Sequence, residues 1–329
     1  MEKVQWGILG TATIAVEQVI PALLQSKKGA VRAIASRTIE KAAKAAKLFN
    51  IPDYYGDYDA LLADTEIQAV YIPLPNHLHV EWAIKALHAG KHVLLEKPIG
   101  LSANEAQKLQ EAAKKYPELK VMEAFMYKFH PQWIKVKALI DNGDIGVLKT
   151  IQSSFSFFDD DPKSITNSKA FGGGSLMDIG CYSISISRLL FNAEPKSVSA
   201  SIEYHPDYEV DILATGILEF ENGTASFFCG TQLDYTQQAQ IFGTTGSIKF
   251  ELPFNPENDK PAKIWLTKNE VTTEIEFEIC NQYTLQADAF SSAIINNSRP
   301  PVDLNDAINN MIVIEKLHES NQKGQRVFI

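Results

Sequence analysis

The first 125 residues alternate short apolar runs with longer stretches of helical character. Apolar runs typical of buried strands are predicted at residues 4–9, 31–35, 69–72, 92–95 and 120–125. Helices are predicted between them, at residues 14–24, 38–49, 58–62, 77–89 and 102–115. This alternation indicates βαβ units and a parallel sheet of the α/β class.

Beyond Gly146 the pattern changes to short strands rich in Thr, Ser, Phe and Ile. They are predicted at residues 148–158, 195–204, 211–219, 224–231, 238–242, 247–251 and 263–267. Gly223 and Gly246 mark tight turns, and consecutive strands without helices between them predict an antiparallel sheet. Two helices are predicted near the end, at 285–296 and 305–320. We therefore predict two domains, residues 1–122 and 123–329, the second an α+β domain with a large, mainly antiparallel sheet.

A glycine-rich turn follows the first predicted strand and opens the first helix. Gly7, Gly10 and Ala12 form the pattern G-x-x-G-x-A, in which Gly10 allows a tight turn and a close approach of backbone N–H groups to a pyrophosphate. Cofactor contacts are predicted for Gly10, Thr11, Ala12 and Ile14. Such a turn is a weak signal alone, but its strand–turn–helix context favours an N-terminal Rossmann dinucleotide-binding domain.

The end of the second predicted strand favours NADP(H) over NAD. An acidic residue there would accept hydrogen bonds from a ribose 2′-OH, but this position holds Ser36 and Arg37. A guanidinium pairs with a 2′-phosphate in a bidentate manner, Ser36 adds a hydrogen bond, and Lys41 lies one helical turn further on. The alternative interpretation is that these polar residues only form the solvated start of the helix predicted at residues 38–49.

The loop of residues 73–79 follows the strand at 69–72, where the nicotinamide half of a dinucleotide is expected. Cofactor contacts are predicted for Leu74, Pro75, Asn76 and His79. His77 and His79 suggest a metal pair, but no further zinc ligands with recognisable spacing are evident, so no metal is predicted.

Lys97, between Glu96 and Pro98, comes directly after the predicted strand 92–95. Open α/β sheets bind ligands outside the carboxyl ends of their strands, so Lys97 is predicted to point into a crevice. Glu96 and Lys97 are both predicted cofactor contacts. A surface lysine after a strand is the alternative.

Three glycines at 172–174 lead into a predicted helix that carries Asp178 and Tyr182 four residues apart, on one face. A phenol beside an ammonium can have its pKa lowered and then accept a proton from an alcohol, so we interpret Tyr182, Asp178 and Lys97 as a catalytic set. The alternative is an aspartate favoured by the helix dipole, with a half-buried tyrosine behind it. Together with Asp178 and Tyr182, Tyr127 and Phe158 are candidates to contact the substrate, although aromatic residues in strands are more often core.

Several segments, in this order, carry a resemblance that covers nearly the whole chain: GILGTATIA, ASR, PLPNHLH, AGKHVLLEKP and GGGSLMDIGCY. The chain resembles the glucose–fructose oxidoreductase and inositol dehydrogenase (Gfo/Idh/MocA) family. It is most similar to the branch that holds dimeric dihydrodiol dehydrogenase and NADP-dependent D-xylose 1-dehydrogenase. The resemblance implies that Lys97 lies beside the nicotinamide and the substrate hydroxyl, with a peptide before Pro98 that is often cis. Many members of the family carry histidine at the position of Tyr182, whereas the dihydrodiol and glucose–fructose branches carry tyrosine, so Tyr182 adds to the resemblance to the dihydrodiol branch.

The resemblance implies an NADP(H)-dependent oxidoreductase that acts on a hydroxyl-bearing carbon of a sugar or cyclic diol. One alternative is a carbonyl reductase of 1,5-anhydrofructose type, and another is a non-catalytic NADP-binding sugar sensor. A sensor would have no need to retain Lys97, Asp178 and Tyr182 together. Whether Tyr182 or Lys97 takes the proton stays open. The resemblance also implies a homodimer, or a tetramer of dimers, paired through the C-terminal sheet.

Composition excludes several partner classes. The net charge of −9 and a pI near 5.4 argue against nucleic acid or an anionic membrane as partner. No apolar run approaches the roughly 18 residues of a membrane span. Residues 1–3 precede the first strand without signal-peptide character, and Cys181, Cys229 and Cys280 are scattered. We therefore expect a cytoplasmic protein with reduced cysteines.

Overall fold

A computed structural model describes residues 3–329, and these form two compact units. Unit 1 takes in the described residues up to Phe129 together with Asn281–Ile308. Unit 2 takes in His130–Cys280 and Asn309–Ile329. Residues 1 and 2, which belong to the predicted N-terminal lead into the first strand, lie outside the described residues.

Unit 1 is built on a sheet of six parallel strands in the order β3-β2-β1-β4-β5-β6. The strands are β1 Val4–Leu9, β2 Gly29–Ala35, β3 Asp53–Tyr55, β4 Ala69–Ile72, β5 His92–Leu95 and β6 Val121–Glu123. The helices are a π-helical turn, Ala15–Val19, that continues as α1 Ile20–Gln25, then α2 Ile39–Phe49, α3 Tyr58–Ala63, α4 His79–His88 and α5 Ala103–Ala113. This arrangement confirms the predicted Rossmann domain, and adds β3, a three-residue edge strand that the sequence did not indicate.

The strand order of unit 1 reverses between β1 and β4, which makes that boundary the topological switch point of the sheet. Ligands of open α/β sheets bind outside the carboxyl strand ends at such a point. Because all six strands are parallel, the residues that follow β1, β2, β4 and β5 emerge at the same edge. The predicted cofactor residues after each of these strands therefore share that edge.

Unit 2 holds a nine-stranded sheet in the order β14-β13-β12-β11-β7-β10-β9-β8-β15. Its elements begin with α6 Pro131–Asp141, β7 Leu148–Phe158, a π-helical turn Leu176–Gly180 that continues as α7 Cys181–Phe191, β8 Ser197–Tyr204, β9 Asp211–Glu219 and β10 Thr224–Gly230. They continue with β11 Gln232–Gly243, β12 Gly246–Phe250, β13 Lys263–Lys268 and β14 Val271–Glu276. The last elements of the chain are α8 Gln282–Ile295, which belongs to unit 1, α9 Leu304–Lys323, in which the unit boundary falls, and β15 Val327–Phe328 of unit 2.

The prediction of a large, mainly antiparallel sheet is confirmed, with one exception. β7 and β10 pair in parallel, because the chain passes through α7, β8 and β9 before it returns beside β7. β14 and β15 were not predicted. The residues of β14 are mostly exposed and mostly Thr and Glu, so this strand has no apolar alternation to identify it.

The compact units differ from the predicted domains by the segment 281–308, which returns to unit 1. Phe290 of α8 is fully buried, with its ring centroid 5.8 Å from that of Trp6 in β1. The indole N–H of Trp6 donates to the Ser291 hydroxyl at 3.2 Å. The functional domains 1–122 and 123–329 stay a prediction.

His130 caps the first helix of unit 2 as a neutral ring. Its Nδ1 accepts a hydrogen bond from the backbone N–H of Gln132 at 3.1 Å, and its Nε2 lies 3.5 Å from the Cys280 sulfur. The side chain is 2% exposed, and burial lowers the pKa of His130 to about 4. Since Nδ1 is an acceptor, the proton of the neutral ring sits on Nε2 and faces the sulfur.

We expect His130 to make the protein less stable in mild acid. Its folded pKa is depressed, so its stabilising contribution is complete above the unfolded value of about 6.5 and is lost as the pH falls towards 4. Between pH 7.5 and pH 5 this histidine should cost about 2 kcal/mol of unfolding free energy. The His130→Asn variant keeps a good N-cap without a titrating ring, so urea unfolding should show a smaller loss between the two pH values. Equal losses in both proteins would contradict the assignment.

Candidate functional site

The turn after β1 leaves room for a ligand at the backbone. Gly10 has φ +128°, a conformation that side-chain-bearing residues rarely adopt, and its N–H donates to the Ala35 carbonyl at 2.9 Å. A Cβ at this position would lie 3.4 Å from a Leu74 methyl carbon and 3.9 Å from Pro73 Cγ. Thr11, Ala12 and Ile14 follow, each partly exposed. The turn therefore fits the close approach of a pyrophosphate.

Hydroxyl and cationic groups follow β2, at the same sheet edge. Ser36 is buried, its N–H donates to the Tyr55 carbonyl at 3.1 Å, and its hydroxyl accepts from the Thr38 N–H at 3.4 Å. Arg37 and Lys41 are exposed, beside and within the start of α2. This arrangement fits a phosphate on the ribose next to the Gly10 turn.

His79 joins the loop after β4 to the loop after β5. Its ring is fully buried, and its two nitrogens lie 2.7 Å from the carbonyl oxygens of Leu74 and Pro98. Burial lowers the pKa of His79 to about 4, so at neutral pH the ring carries one N–H and donates to one of these carbonyls. Pro75 and Asn76 of the same loop are partly exposed. We interpret His79 as a residue that positions this loop.

Glu96 and Lys97 follow β5 within a network of phenols. The Lys97–Pro98 peptide is cis. The Tyr71 hydroxyl donates to Glu96 Oε1 at 2.7 Å, and the Lys97 N–H donates to Glu96 Oε2 at 3.2 Å. Burial and the nearby Glu96 carboxylate raise the pKa of Tyr283, while the Lys97 ammonium opposes that shift. Tyr71 and Tyr283 were not identified from the sequence, because their contacts with this pair join distant segments.

In unit 2, a buried carboxylate fixes the glycine loop that precedes α7. Asp211 of β9 is 3% exposed and accepts hydrogen bonds from the Ser175 hydroxyl and the Leu176 N–H, both at 2.7 Å. Gly174 has φ +110°, and a Cβ there would lie 2.1 Å from Asp211 Oδ1. Asp211 thus sets where the helix bearing Asp178 begins. This role was not predicted, although a lone aspartate between Val210 and Ile212 was a signal for it.

Asp178 and Tyr182 emerge from this helix start. Asp178 is partly exposed and its Oδ2 lies 3.5 Å from the Thr166 hydroxyl. The Tyr182 ring packs against Phe155 and Phe254, with centroid distances of 5.7 and 5.3 Å. Asp178 lies within the π-helical turn Leu176–Gly180, and Tyr182 follows four residues later in the first turn of α7.

The other predicted substrate contacts lie in different surroundings. Tyr127 is fully buried in unit 1, with its ring edge-on to that of Phe125 at a centroid distance of 5.8 Å. Phe158 is 65% exposed at the end of β7. Both residues stay predictions as substrate contacts.

Residues 3–329 contain neither a cluster of metal-ligating side chains nor a helix that could span a membrane. No group of three or more His, Cys, Asp or Glu side chains in this part of the chain is arranged to hold a metal ion. None of the helices described there is long and apolar enough to cross a membrane.

The strand order and the ligand-accessible strand edge define unit 1 as a Rossmann-type dinucleotide-binding domain. The sequence profile described as "Oxidoreductase family, NAD-binding Rossmann fold" (GFO_IDH_MocA) matches residues 4–125. The profile described as "GFO/IDH/MocA C-terminal domain" matches residues 133–249. The chain belongs to the Gfo/Idh/MocA family of oxidoreductases and has an NAD(P)-binding domain.

Three relatives illustrate the similarity. D-xylose 1-dehydrogenase (NADP(+)) 2 of Haloferax volcanii is 37% identical, with 98% of each chain covered. Trans-1,2-dihydrobenzene-1,2-diol dehydrogenase of Xenopus laevis is 32% identical over 74% of each chain. The crystal structure of KijD10, a 3-ketoreductase from Actinomadura kijaniata in complex with NADP and TDP-benzene, is 29% identical with a TM-score of 0.91, covering 97% of this chain and 98% of that one. These relatives confirm the similarity to the xylose and dihydrodiol dehydrogenase branch.

Proposed function

We propose that the protein is an NADP(H)-dependent oxidoreductase that transfers a hydride between nicotinamide and a hydroxyl-bearing carbon of a sugar or cyclic diol. The observation that carries this proposal is the strand edge of unit 1, where Lys97 follows β5 and the open Gly10 turn follows β1. The substrate class is supported by the relatives named D-xylose 1-dehydrogenase and dihydrobenzenediol dehydrogenase.

The preference for NADP(H) rests on Ser36 and Arg37, which stand where an acidic residue would select NAD. Two relatives support it, one named as NADP(+)-dependent and one crystallised with NADP. The pyrophosphate would be held at Gly10, Thr11, Ala12 and Ile14, and the ribose phosphate by Ser36, Arg37 and Lys41. The loop of Leu74, Pro75 and Asn76, positioned by His79, and the pair Glu96 and Lys97 would contact the nicotinamide half.

Removing the guanidinium should remove the cofactor preference. In Arg37→Ala we expect the Kd for NADPH to rise about 10- to 100-fold, the value of one or two charge-assisted hydrogen bonds, with the Kd for NADH nearly unchanged. Fluorescence titration of both cofactors measures this. Arg32→Ala is the matched control, because Arg32 lies in β2, the strand that Arg37 follows, but pairs with Asp53 at 2.9 Å. An equal loss for both cofactors would show that Arg37 does not read the phosphate.

In this proposal three residues carry the proton chemistry. The nicotinamide, when bound, supplies the hydride acceptor or donor. During oxidation Tyr182 takes the hydroxyl proton while the carbinol carbon loses its hydride, and during reduction it returns a proton to the new alkoxide oxygen. Lys97 supplies the positive charge that favours the phenolate, and Asp178 orients the substrate hydroxyl. A variant of this scheme makes Lys97 itself the proton acceptor.

The test is a substrate panel with the intact protein. NADP(+) reduction, followed by absorbance, is measured with aldoses, inositols and trans-dihydrodiols. Turnover of one class supports the dehydrogenase. NADPH oxidation with keto sugars alone would favour a carbonyl reductase, a second candidate that the 3-ketoreductase relative supports. Flat traces in both directions with measurable NADPH binding would favour a non-catalytic sensor.

We also propose a homodimer, or a tetramer of dimers, paired through the open face of the unit 2 sheet. That face carries a cavity of about 520 Å³. Phe228 in β10 and Ile217 in β9 are exposed on these central strands of the sheet. A sheet face with exposed large apolar side chains is typical of an interaction surface. Sedimentation velocity should give at least twice the chain mass of 36.6 kDa, and a monomer at micromolar concentration would overturn this proposal.

A further inference from the structure

Tyr71 in β4 has no assigned role in the proposed reaction, although it is fully buried beside the strand that leads to Lys97. The parallel pairing of β4 with β5 places Tyr71 opposite Leu94. Glu96 comes two residues after Leu94, so the alternation of side chains along a strand brings Glu96 to the face of the sheet that carries Tyr71. The register of the two strands therefore sets a phenol beside the carboxylate that precedes Lys97.

The Glu96 carboxylate is held at both of its oxygens. The Tyr71 hydroxyl donates to Oε1 at 2.7 Å, and the backbone N–H of Lys97 donates to Oε2 at 3.2 Å. Glu96 is only 9% exposed, so water is poorly placed to replace a donor that is lost, and a buried carboxylate oxygen without its donor is unfavourable. The phenol thus fixes the carboxylate, and the carboxylate fixes the backbone at Lys97.

The chain is also held directly after Lys97. The carbonyl oxygen of Pro98 lies 2.7 Å from Nδ1 of the fully buried His79 ring. Because the backbone is anchored on both sides, the direction in which the Lys97 side chain leaves it is set by these contacts. A displacement of about 1 Å in a reacting group can cost roughly 100-fold in rate. We propose that Tyr71 positions Lys97 through Glu96, an inference that rests on the proposed function, in which the Lys97 ammonium acts in the proton transfer.

The first measurement does not depend on catalysis. Tyr71→Phe keeps the buried ring and removes the hydroxyl alone. Without that donor the carboxylate can turn away from the Lys97 N–H, so we expect amide exchange at Lys97 to become about 10-fold faster relative to the amides of β5, measured by NMR on the intact protein. An equal acceleration throughout β5 would mean that the sheet is merely destabilised, and would overturn the positioning role, as would unchanged exchange.

Tyr55→Phe is the matched control for the exchange measurement. Tyr55 is also a phenol of unit 1 that donates to a carboxylate, that of Asp64, at 3.0 Å. Its hydroxyl makes this bond away from Glu96, so exchange at Lys97 should equal that of the wild type. Faster exchange at Lys97 in this control as well would show that the effect is not specific to Tyr71.

The second measurement is oxidation of the best substrate of the panel. In Tyr71→Phe we expect kcat to fall about 10-fold, with the Kd for NADPH within about threefold. A displaced ammonium favours the Tyr182 phenolate less, so the acidic limb of the rate profile should move to higher pH. A smaller amount of folded protein would lower kcat without moving that limb, and this outcome would overturn the proposal.

A double-mutant cycle shows whether the effect passes through the carboxylate. In the Glu96→Ala background, Tyr71→Phe should cause no further loss of kcat, because the acceptor of its hydroxyl is already absent. Additive losses would overturn the positioning role. A wild-type protein that turns over no substrate in either direction would instead contradict the proposed function, and the exchange at Lys97 would still decide whether Tyr71 holds this part of the chain.

Discussion

Replacing Tyr182 by phenylalanine is expected to lower kcat by about 100- to 1,000-fold, the usual contribution of a general acid or base. The Kd for NADPH should stay within about twofold, because the phenylalanine ring retains the packing against Phe155 and Phe254. Steady-state rates with the best substrate of the panel, together with NADPH titration, measure both quantities. Tyr204→Phe is the control, since that hydroxyl contacts His318 in the same unit.

Near-normal turnover in Tyr182→Phe would show that Tyr182 is not the proton acceptor and would leave Lys97 in that role. The Lys97→Met variant sharpens this distinction. If Lys97 favours the phenolate, its removal raises the pKa of the phenol and moves the acidic limb of the oxidation rate profile, on which kcat rises with pH, to higher pH. If Lys97 takes the proton itself, the variant loses that limb altogether.

The parallel half of the fold was predictable because its strands are buried on both faces. β1, β4 and β5 consist almost wholly of buried residues, so each reads as a short apolar run. β14 could not be found in this way, since the polar, mostly exposed residues of that strand show no alternation. The sequence of segment 281–308 does not indicate which unit it joins, and contacts between distant segments, such as the packing of Phe290 against Trp6, place it in unit 1.

The residues of the candidate site also differ in how far the sequence alone could identify them. Gly10, Arg37 and Lys97 have local signals, because each follows a strand and stands out chemically from the residues around it. Tyr71 and Tyr283 have none, since their interactions with Glu96 and Lys97 join segments far apart along the chain. Asp211 had only the signal of a lone carboxylate between apolar residues, because its partner Leu176 lies 35 residues away. The sequence pattern also does not show how deeply an aromatic side chain is buried. Tyr127 and Phe158 were therefore both predicted as substrate contacts, although Tyr127 is fully buried and Phe158 is exposed.

Adding a single methyl group at Gly174 is expected to destabilise unit 2 by about 3–5 kcal/mol. The φ of +110° strains any residue with a Cβ, and that Cβ would lie 2.1 Å from Asp211 Oδ1. The carboxylate must move, which leaves the Ser175 hydroxyl and the Leu176 N–H buried without their acceptor. Urea unfolding followed by tryptophan fluorescence measures the loss, and faster amide exchange at Leu176 locates it.

Gly143→Ala separates backbone strain from the contact with the carboxylate. Gly143 also has a positive φ, +75°, but a Cβ there meets nothing within 4 Å, so alanine should cost about 1 kcal/mol. The difference between the two variants is then the contribution of the Asp211 contact. Equal losses would mean that Asp211 does not hold the start of α7. Because that start carries Asp178 and Tyr182, Gly174→Ala should also lower kcat under conditions where the protein remains folded, whereas Gly143→Ala should not.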